Sequence, residues 1–389
     1  MRRFRVRLVS LALATVLTLP ALTASAQGMP MGEPQLSPGT SVAATGLTNP
    51  RGFTWDDHGT LYIALAGTGG GVMATTPAPI VEGMGPFYVG MTAAIVRMDD
   101  GCPTPVVTGL PSAAHPLAGT YGVADVAILD GQLYALLVGG GEVRDNPDWP
   151  SGIYAVNDDG TLEIVADLSA WTRANPTESV PWDYDPETGG FDMVAGHGLI
   201  WLSQPNRDEI LTITPDGAVT RVVDLSREHP VLTGIDLAPD GGVYVGTLTA
   251  IPFPVGAARV LHVSPEGEVT EVWTGLTTVT GVAVGPDGTL YAAEMSAENL
   301  DEMPFLQPGT GRIVRQSGPD SAEPIASGLT FPLGLAFGPD GALYAGLPAI
   351  GANTGEGSIL RFDFNGDAPV ASPEPAGSPL AHCFSAPAS

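Results

Sequence analysis

Three carboxylates stand where a metal or a titrating pair could use them. Asp192 and Asp236 each lie two residues after a glycine that opens an apolar run, in GFDMVAGHG (190–198) and GIDLAPDGG (234–242). Glu294 closes the run GPDGTLYAAE (285–294) and is the one charged residue among the matching ends Leu65, Leu137, Gln204, Thr247 and Leu347. Hard carboxylate oxygens joined by loop carbonyls suit Ca²⁺, and carboxylates held close together titrate as a coupled pair. Asp192, Asp236 and Glu294 are therefore the candidate calcium ligands. The same groups have structural uses. The aspartates can accept from neighbouring backbone amides, and a buried Glu294 needs a partner, for which Arg51 is the candidate.

Standard catalytic sets are missing. The six histidines form no HxH or HExxH, and there is no GxSxG for a nucleophilic serine. GTGGG (67–71) is not followed by a helical pattern, so a dinucleotide reading lacks its context. What remains is a binding site of mixed aromatic and polar character. Arg51 and Tyr121 each immediately precede the glycine that opens a run. Trp182 lies in the aromatic and acidic segment WTRANPTESVPWDYDPE (171–187), and EVRDNPDWP (142–150) is of the same kind.

These residues hang on a repeat. Six copies open with Gly and an apolar strand, turn, and continue with a second strand: GFTWDDHGTLYIA (52–64), GVADVAILDGQLYAL (122–136), GFDMVAGHGLIWL (190–202), GIDLAPDGGVYVG (234–246), GVAVGPDGTLYAA (281–293) and GLAFGPDGALYAG (334–346). A third strand follows each copy, and a fourth follows most of them. Short strands punctuated by Gly, Pro and Asp argue antiparallel sheet, and four-stranded units repeated radially make a propeller. With 51 glycines and 37 prolines the chain is a poor candidate for long helices. The sixth unit lacks its fourth strand, while TSVAATGL (40–47) precedes the first unit and resembles the missing piece. The expectation is an all-β, six-bladed β-propeller over 40–367 whose N-terminal strand completes the last blade and removes an exposed edge. The PDG and DDHG turns are short, so their face is plain. Long loops crowd the other face, where binding is expected. Asp287, in one PDG, is expected to be a turn residue.

The ends bound the setting. MRRFRVR, an apolar run and ASA before Gln27 describe a secretory signal over 1–26; 27–39 reads as a linker and 368–389 as a Pro/Ala/Ser-rich tail. No later segment is long and apolar enough to span a bilayer, so a secreted (periplasmic or extracellular) monomer is expected. The formal charge of −27 argues against nucleic acid and anionic membrane surfaces. The two cysteines, Cys102 and Cys383, are in no metal-binding pattern and are candidates for a disulfide, since ring closure brings the tail near the first blade.

GLTNPRGFTWDDHGTLYIALAGTGGG (46–71), GVYVGTLTAIPFPVGAARVLHV (242–263) and GVAVGPDGTLYAAE (281–294) resemble the ScyD/ScyE family of exported propellers, named for members beside scytonemin pigment genes. The resemblance implies an exported protein with a part in binding or tailoring an aromatic small molecule. Its motifs carry over at Asn49, Pro50, Arg51, Gly52, Pro252, Phe253, Pro254 and Glu294, and add Phe253 and Asn206 to the ligand-binding candidates. Two positions depart from it: Leu65 stands where the family commonly has an acid, and SQPN (203–206) keeps only Asn206 of an Asp-Ala-Gly-x-Asn-type segment. The rival readings are a non-catalytic scaffold for a protein partner and a Ca²⁺-dependent lactonase-like hydrolase.

Overall fold

The computed structural model describes residues 34–75, 86–115, 119–182, 185, 187, 189–351 and 354–364. Six antiparallel sheets stand in a ring. Their innermost strands are Pro50–Trp55, Val123–Leu129, Asp192–Gly196, Leu232–Leu237, Val279–Val284 and Leu335–Phe337, one for each repeat. The strand Thr40–Leu47 pairs with Gly357–Phe362, from Thr40 opposite Phe362 to Leu47 opposite Gly357. The first described long strand thus closes the last blade, as the missing sixth-unit strand implies.

Blades two to four have four strands each. Blade five gains a fifth from Gln35–Leu36, inside the segment expected to be linker, which pairs with Ser327 and Ala326. Blade one is the largest. Its third and fourth strands, Tyr88–Asp99 and Cys102–His115, outrun the neighbouring strands, and Val72–Met73 and Gly119–Tyr121 pair onto the extension. Cys102, which opens the fourth strand, is disulfide-bonded. Cys383 lies outside the described residues, as do the expected signal segment and the tail.

Each interface between blades holds one buried apolar cluster. Between blades two and three, for example, Leu136, Ile153 and Leu168 pack against Ile200, Leu202 and Leu211. Burying such side chains contributes about 1.5–3 kcal/mol each, so the ring is held by its six interfaces rather than by one central core. The glycines that open the repeats permit the closest approach of the inner strands. A Cβ on Gly234 would come within 2.4 Å of the Gly281 Cα, and one on Gly122 within 2.2 Å of the Ala66 carbonyl oxygen.

The PDG turns behave as turns. Asp287 Oδ1 accepts from the Thr289 amide at 3.0 Å, and Asp240 and Asp340 do the same for Gly242 and Ala342. The Thr289 hydrogen bonds hold the Asp287 carboxyl below its ordinary range. One short helix, Leu168–Ala174, lies outside what the repeat predicts. The Asp167 side chain caps it by accepting from the Ala170 amide at 2.7 Å. Among the described residues no helix is long and apolar enough to cross a membrane.

Candidate functional site

The half of the channel nearest the tight turns holds a cavity of about 340 Å³, lined by Thr54, Trp55, Asp125, Asp192, Asp236 and Phe337 among others. Its three acids come from blades two, three and four, and all do the same job. Asp125 accepts from its own neighbour Val126 (2.7 Å) and from Met193 on the next blade (2.9 Å). Asp192 accepts from Met193 (3.1 Å) and from Ile235 one blade on (3.0 Å). Asp236 accepts from Leu237 and from Val284 one blade on, both at 2.8 Å. Each carboxylate therefore staples its inner strand to the following one, filling both oxygens with backbone donors.

Burial sets their protonation. It pushes Asp236 up to about 6 despite two amide bonds. Burial also raises Asp192, and it raises Asp125 well above the carboxylate range with the adjacent Asp192 carboxylate adding to the shift. The Asp125 carboxyl occupies the place a side chain at Gly52 would take, since a Cβ there would lie 1.6 Å from Oδ1.

Asp192 and Asp236 are not level in the channel. Trp201 and Tyr244 hold matching places on their second strands, and their partners across the ladder are Val194 and Asp236. Asp192 pairs with Ser203, two residues nearer the long-loop face. Blade three turns tightly between the paired Gly196 and Leu199, whereas blade four closes a longer loop between Leu237 and Val243. Counting from the leading glycine hides that difference. Asp125 shares the level of Asp192, for it faces Leu136, two residues past Tyr134.

Glu294 is elsewhere and already engaged. Fully buried at the end of its strand, it accepts the Thr277 amide at 2.6 Å and a two-pronged ion pair from Arg312, directly across the ladder. Arg312, not Arg51, is its partner, because the third strand of the same blade places that fork opposite it. The proposed calcium set is thus dispersed: two of its acids are saturated by amides and the third is neutralised by an arginine. Among the described residues no group of three or more His, Cys, Asp or Glu could hold a metal ion. These residues do not fit a calcium centre.

The long-loop end of the channel is built differently. Thr233 and Thr280 are buried there and donate to Val279 and Pro332 carbonyls of the following blades. Leu333 is buried with Met295 and Ala349, and Phe191, Phe331 and Ile350 pack onto them partly exposed. Arg51 donates through Nη2 to the Thr120 carbonyl, and burial pushes its guanidinium down to about 10. Beside it, Tyr121 meets Phe87 edge-on at 5.4 Å between ring centres, and the Arg144 guanidinium lies over both rings at 4.7 and 5.0 Å. Arg144 is fully buried and ion-paired to Asp185.

Of the ligand candidates, the structure thus brings Arg51 and Tyr121 side by side. Trp182 stands 57% exposed in the long loop of blade three, and Asn206 lies half-buried in the turn from Gln204 to Glu209. Phe253, in the long loop of blade four, meets Phe305 edge-on at 6.3 Å. Sequence reasoning missed Asp125, which a register shift at Leu136/Leu137 moves out of the glycine count, and it missed the Arg144–Asp185 pair, whose members sit in separate loops.

No protein-family model matches the sequence, and no curated protein matches it. Solved structures do match in shape. An oxidoreductase (glucose dehydrogenase) from Thermus thermophilus, so described, superposes with a TM-score of 0.51 at 15% identity, covering 83% of this chain and 98% of its own. A gluconolactonase from Xanthomonas campestris gives 0.51 at 10% identity, covering 85% and 95%. The likeness is one of fold. It shows the six-bladed propeller fold and leaves chemistry to the side chains described above.

Proposed function

We propose that this is an exported, ScyD/ScyE-like propeller that binds a small aromatic molecule over its loop-rich face. One observation carries the reading: large apolar side chains left exposed concentrate in the loops of that face, including Val180, Trp182, Val255, Leu300 and Met303. Exposed apolar surface gathered on one side of a rigid scaffold marks a binding face. Behind it, the Phe87–Tyr121–Arg144 stack supplies a fixed aromatic floor. The acid-lined cavity at the opposite end is a weaker candidate, because its carboxylates are committed to joining blades.

The test is a thermal-shift and calorimetric screen of aromatic metabolites against the mature protein, repeated with Tyr121→Ala and Phe253→Ala. Binding lost in these variants, with the melting temperature otherwise held, supports the site. No binder in the panel would count against it. Export is tested by sequencing the N-terminus of secreted protein, expected at Gln27.

A protein partner is the second reading, favoured by the projecting part of blade one, where Val72, Met73, Tyr88 and Met91 are all exposed. Changing Val72, Met73 and Met91 together to serine would abolish partner capture and leave small-molecule binding intact.

A further inference from the structure

Every cation on this chain's side chains at neutral pH is an arginine, for the sequence contains no lysine. Among the described residues, each arginine other than Arg51 makes an ion pair with an aspartate or glutamate: Arg97, Arg144, Arg173, Arg207, Arg221, Arg227, Arg259, Arg312, Arg315 and Arg361. Partners are abundant, with 42 acidic residues in the chain. Among the described residues Arg51 nevertheless has none. Its Nε is buried with no acceptor, and its one hydrogen bond goes to the Thr120 carbonyl. The channel acid Asp125 lies against the following glycine but gives its oxygens to Val126 and Met193.

A desolvated guanidinium without a counter-charge is costly unless something else supplies the charge. Its place is specific. Arg51 sits on the inner strand of blade one, at the long-loop rim, where blade six meets it. A Cβ on Gly334 would lie 2.5 Å from the Arg51 carbonyl, and one on Gly119, next to Thr120, would lie 3.1 Å from Ile350. Arg51, Tyr121, Leu333 and Ile350 therefore share one stretch of rim, with Phe191 and Phe331 packed against Leu333. This stretch of rim is apolar and aromatic, and one group on it is a planar cation with no acidic partner among the described residues.

We propose that Arg51 is the anion-recognising residue of the loop-face site, and that the natural ligand is a flat aromatic anion carrying a carboxylate or comparable oxyanion. This rests on the small-molecule reading above and narrows it. A guanidinium matches a carboxylate with two parallel N–H···O bonds, here through Nε and a terminal nitrogen. Tyr121 and the apolar rim cover the ring of the ligand. The chain's net negative charge makes a local, desolvated arginine the means of accepting an anion that the rest of the surface repels.

Three matched probes, benzoate, benzamide and benzylammonium, test this by isothermal titration against the mature wild-type protein, Arg51→Gln and Arg51→Lys. The expected result is benzoate binding at least tenfold tighter than benzamide and benzylammonium weakest. Arg51→Gln should erase the preference by weakening benzoate to the level of benzamide, and Arg51→Lys should retain part of it. Equal affinity for benzoate and benzamide in the wild type, or a preference that survives in Arg51→Gln, overturns the assignment of Arg51 while the aromatic-site reading stands. If none of the probes binds, that broader reading falls as well. Should Arg51→Gln fail to fold, crystals of the wild type soaked with 4-bromobenzoate decide. The carboxylate is expected within hydrogen-bond distance of Arg51, and bromine density anywhere else refutes the proposal.

Discussion

Changing Glu294 separates a structural from a ligand-binding glutamate. In Glu294→Ala the Thr277 amide, now buried without an acceptor, costs about 1–3 kcal/mol. Arg312 also loses its forked partner. Breaking a fully buried pair costs about 3–5 kcal/mol, but a third of the Arg312 side chain (33%) reaches solvent and can rehydrate. The combined loss should be about 2–4 kcal/mol, since the two contributions overlap in one carboxylate. For a chain of this size that corresponds to a fall in Tm of roughly 3–5 °C. Glu294→Gln keeps an acceptor for Thr277 and should lose about half as much. The assay is thermal and urea unfolding of the purified mature protein, alongside titration of any aromatic ligand found. Structural action predicts lowered stability with unchanged affinity in the folded variant. A Tm within about 1 °C of wild type combined with lost ligand affinity would refute the ion-pair argument and return Glu294 to the binding site.

Three further outcomes follow from the inner ring and its loops. Gly52→Ala should destabilise by about 2–4 kcal/mol in urea, because the new methyl displaces the Asp125 carboxyl from its amides; Gly288→Ala, with φ +82 and open space, should cost only about 1–2 kcal/mol. Asp236 has its folded pKa raised to about 6, so between pH 4 and 6 the folded state holds the extra proton. Its contribution is therefore fully present below about pH 4 and is lost as pH rises through 6, on the order of 3 kcal/mol in all. Unfolding curves from pH 4 to 7.5 should show that fall, flattened in Asp236→Asn; stability that rises with pH, with the variant tracking wild type, would contradict it. Arg144→Ala leaves Asp185 buried and unpaired, and should cost about 3–5 kcal/mol and expose the 169–189 loop to limited proteolysis.

The ring is legible in the sequence because its signals are local. Period-two strands, Gly punctuation and Asp-Gly turns repeat in every unit, and the missing fourth strand of the sixth unit announces Thr40–Leu47 as its substitute. Depth in the channel is not legible, for it depends on hairpin length. One tight turn at His197–Gly198 shifts Asp192 two residues against Asp236, and one bulge at Leu136/Leu137 brings Asp125 to the level of Asp192. The Glu294–Arg312 pair was within reach, since antiparallel pairing sets the end of the second strand against the start of the third. Arg144 and Asp185 were out of reach, because two irregular loops with no shared period bring them together.

Charge placement in this propeller separates the groups that hold the ring together from the one we propose for recognising a ligand. Asp125, Asp192 and Asp236 look functional by chemistry and position, yet each spends both oxygens on amides of two adjacent strands. A carboxylate so engaged has little left for a metal, and burial raises its pKa, so the acid ring serves the scaffold. Arg51 shows the reverse pattern: same inner ring, same burial, but no acidic partner among the described residues despite a surplus of acids. Stability alone would favour an apolar residue there, as in the equivalent Leu333 of blade six. An unpaired cation kept at the rim of the loop-rich face, against that preference, is what a site for an organic anion requires.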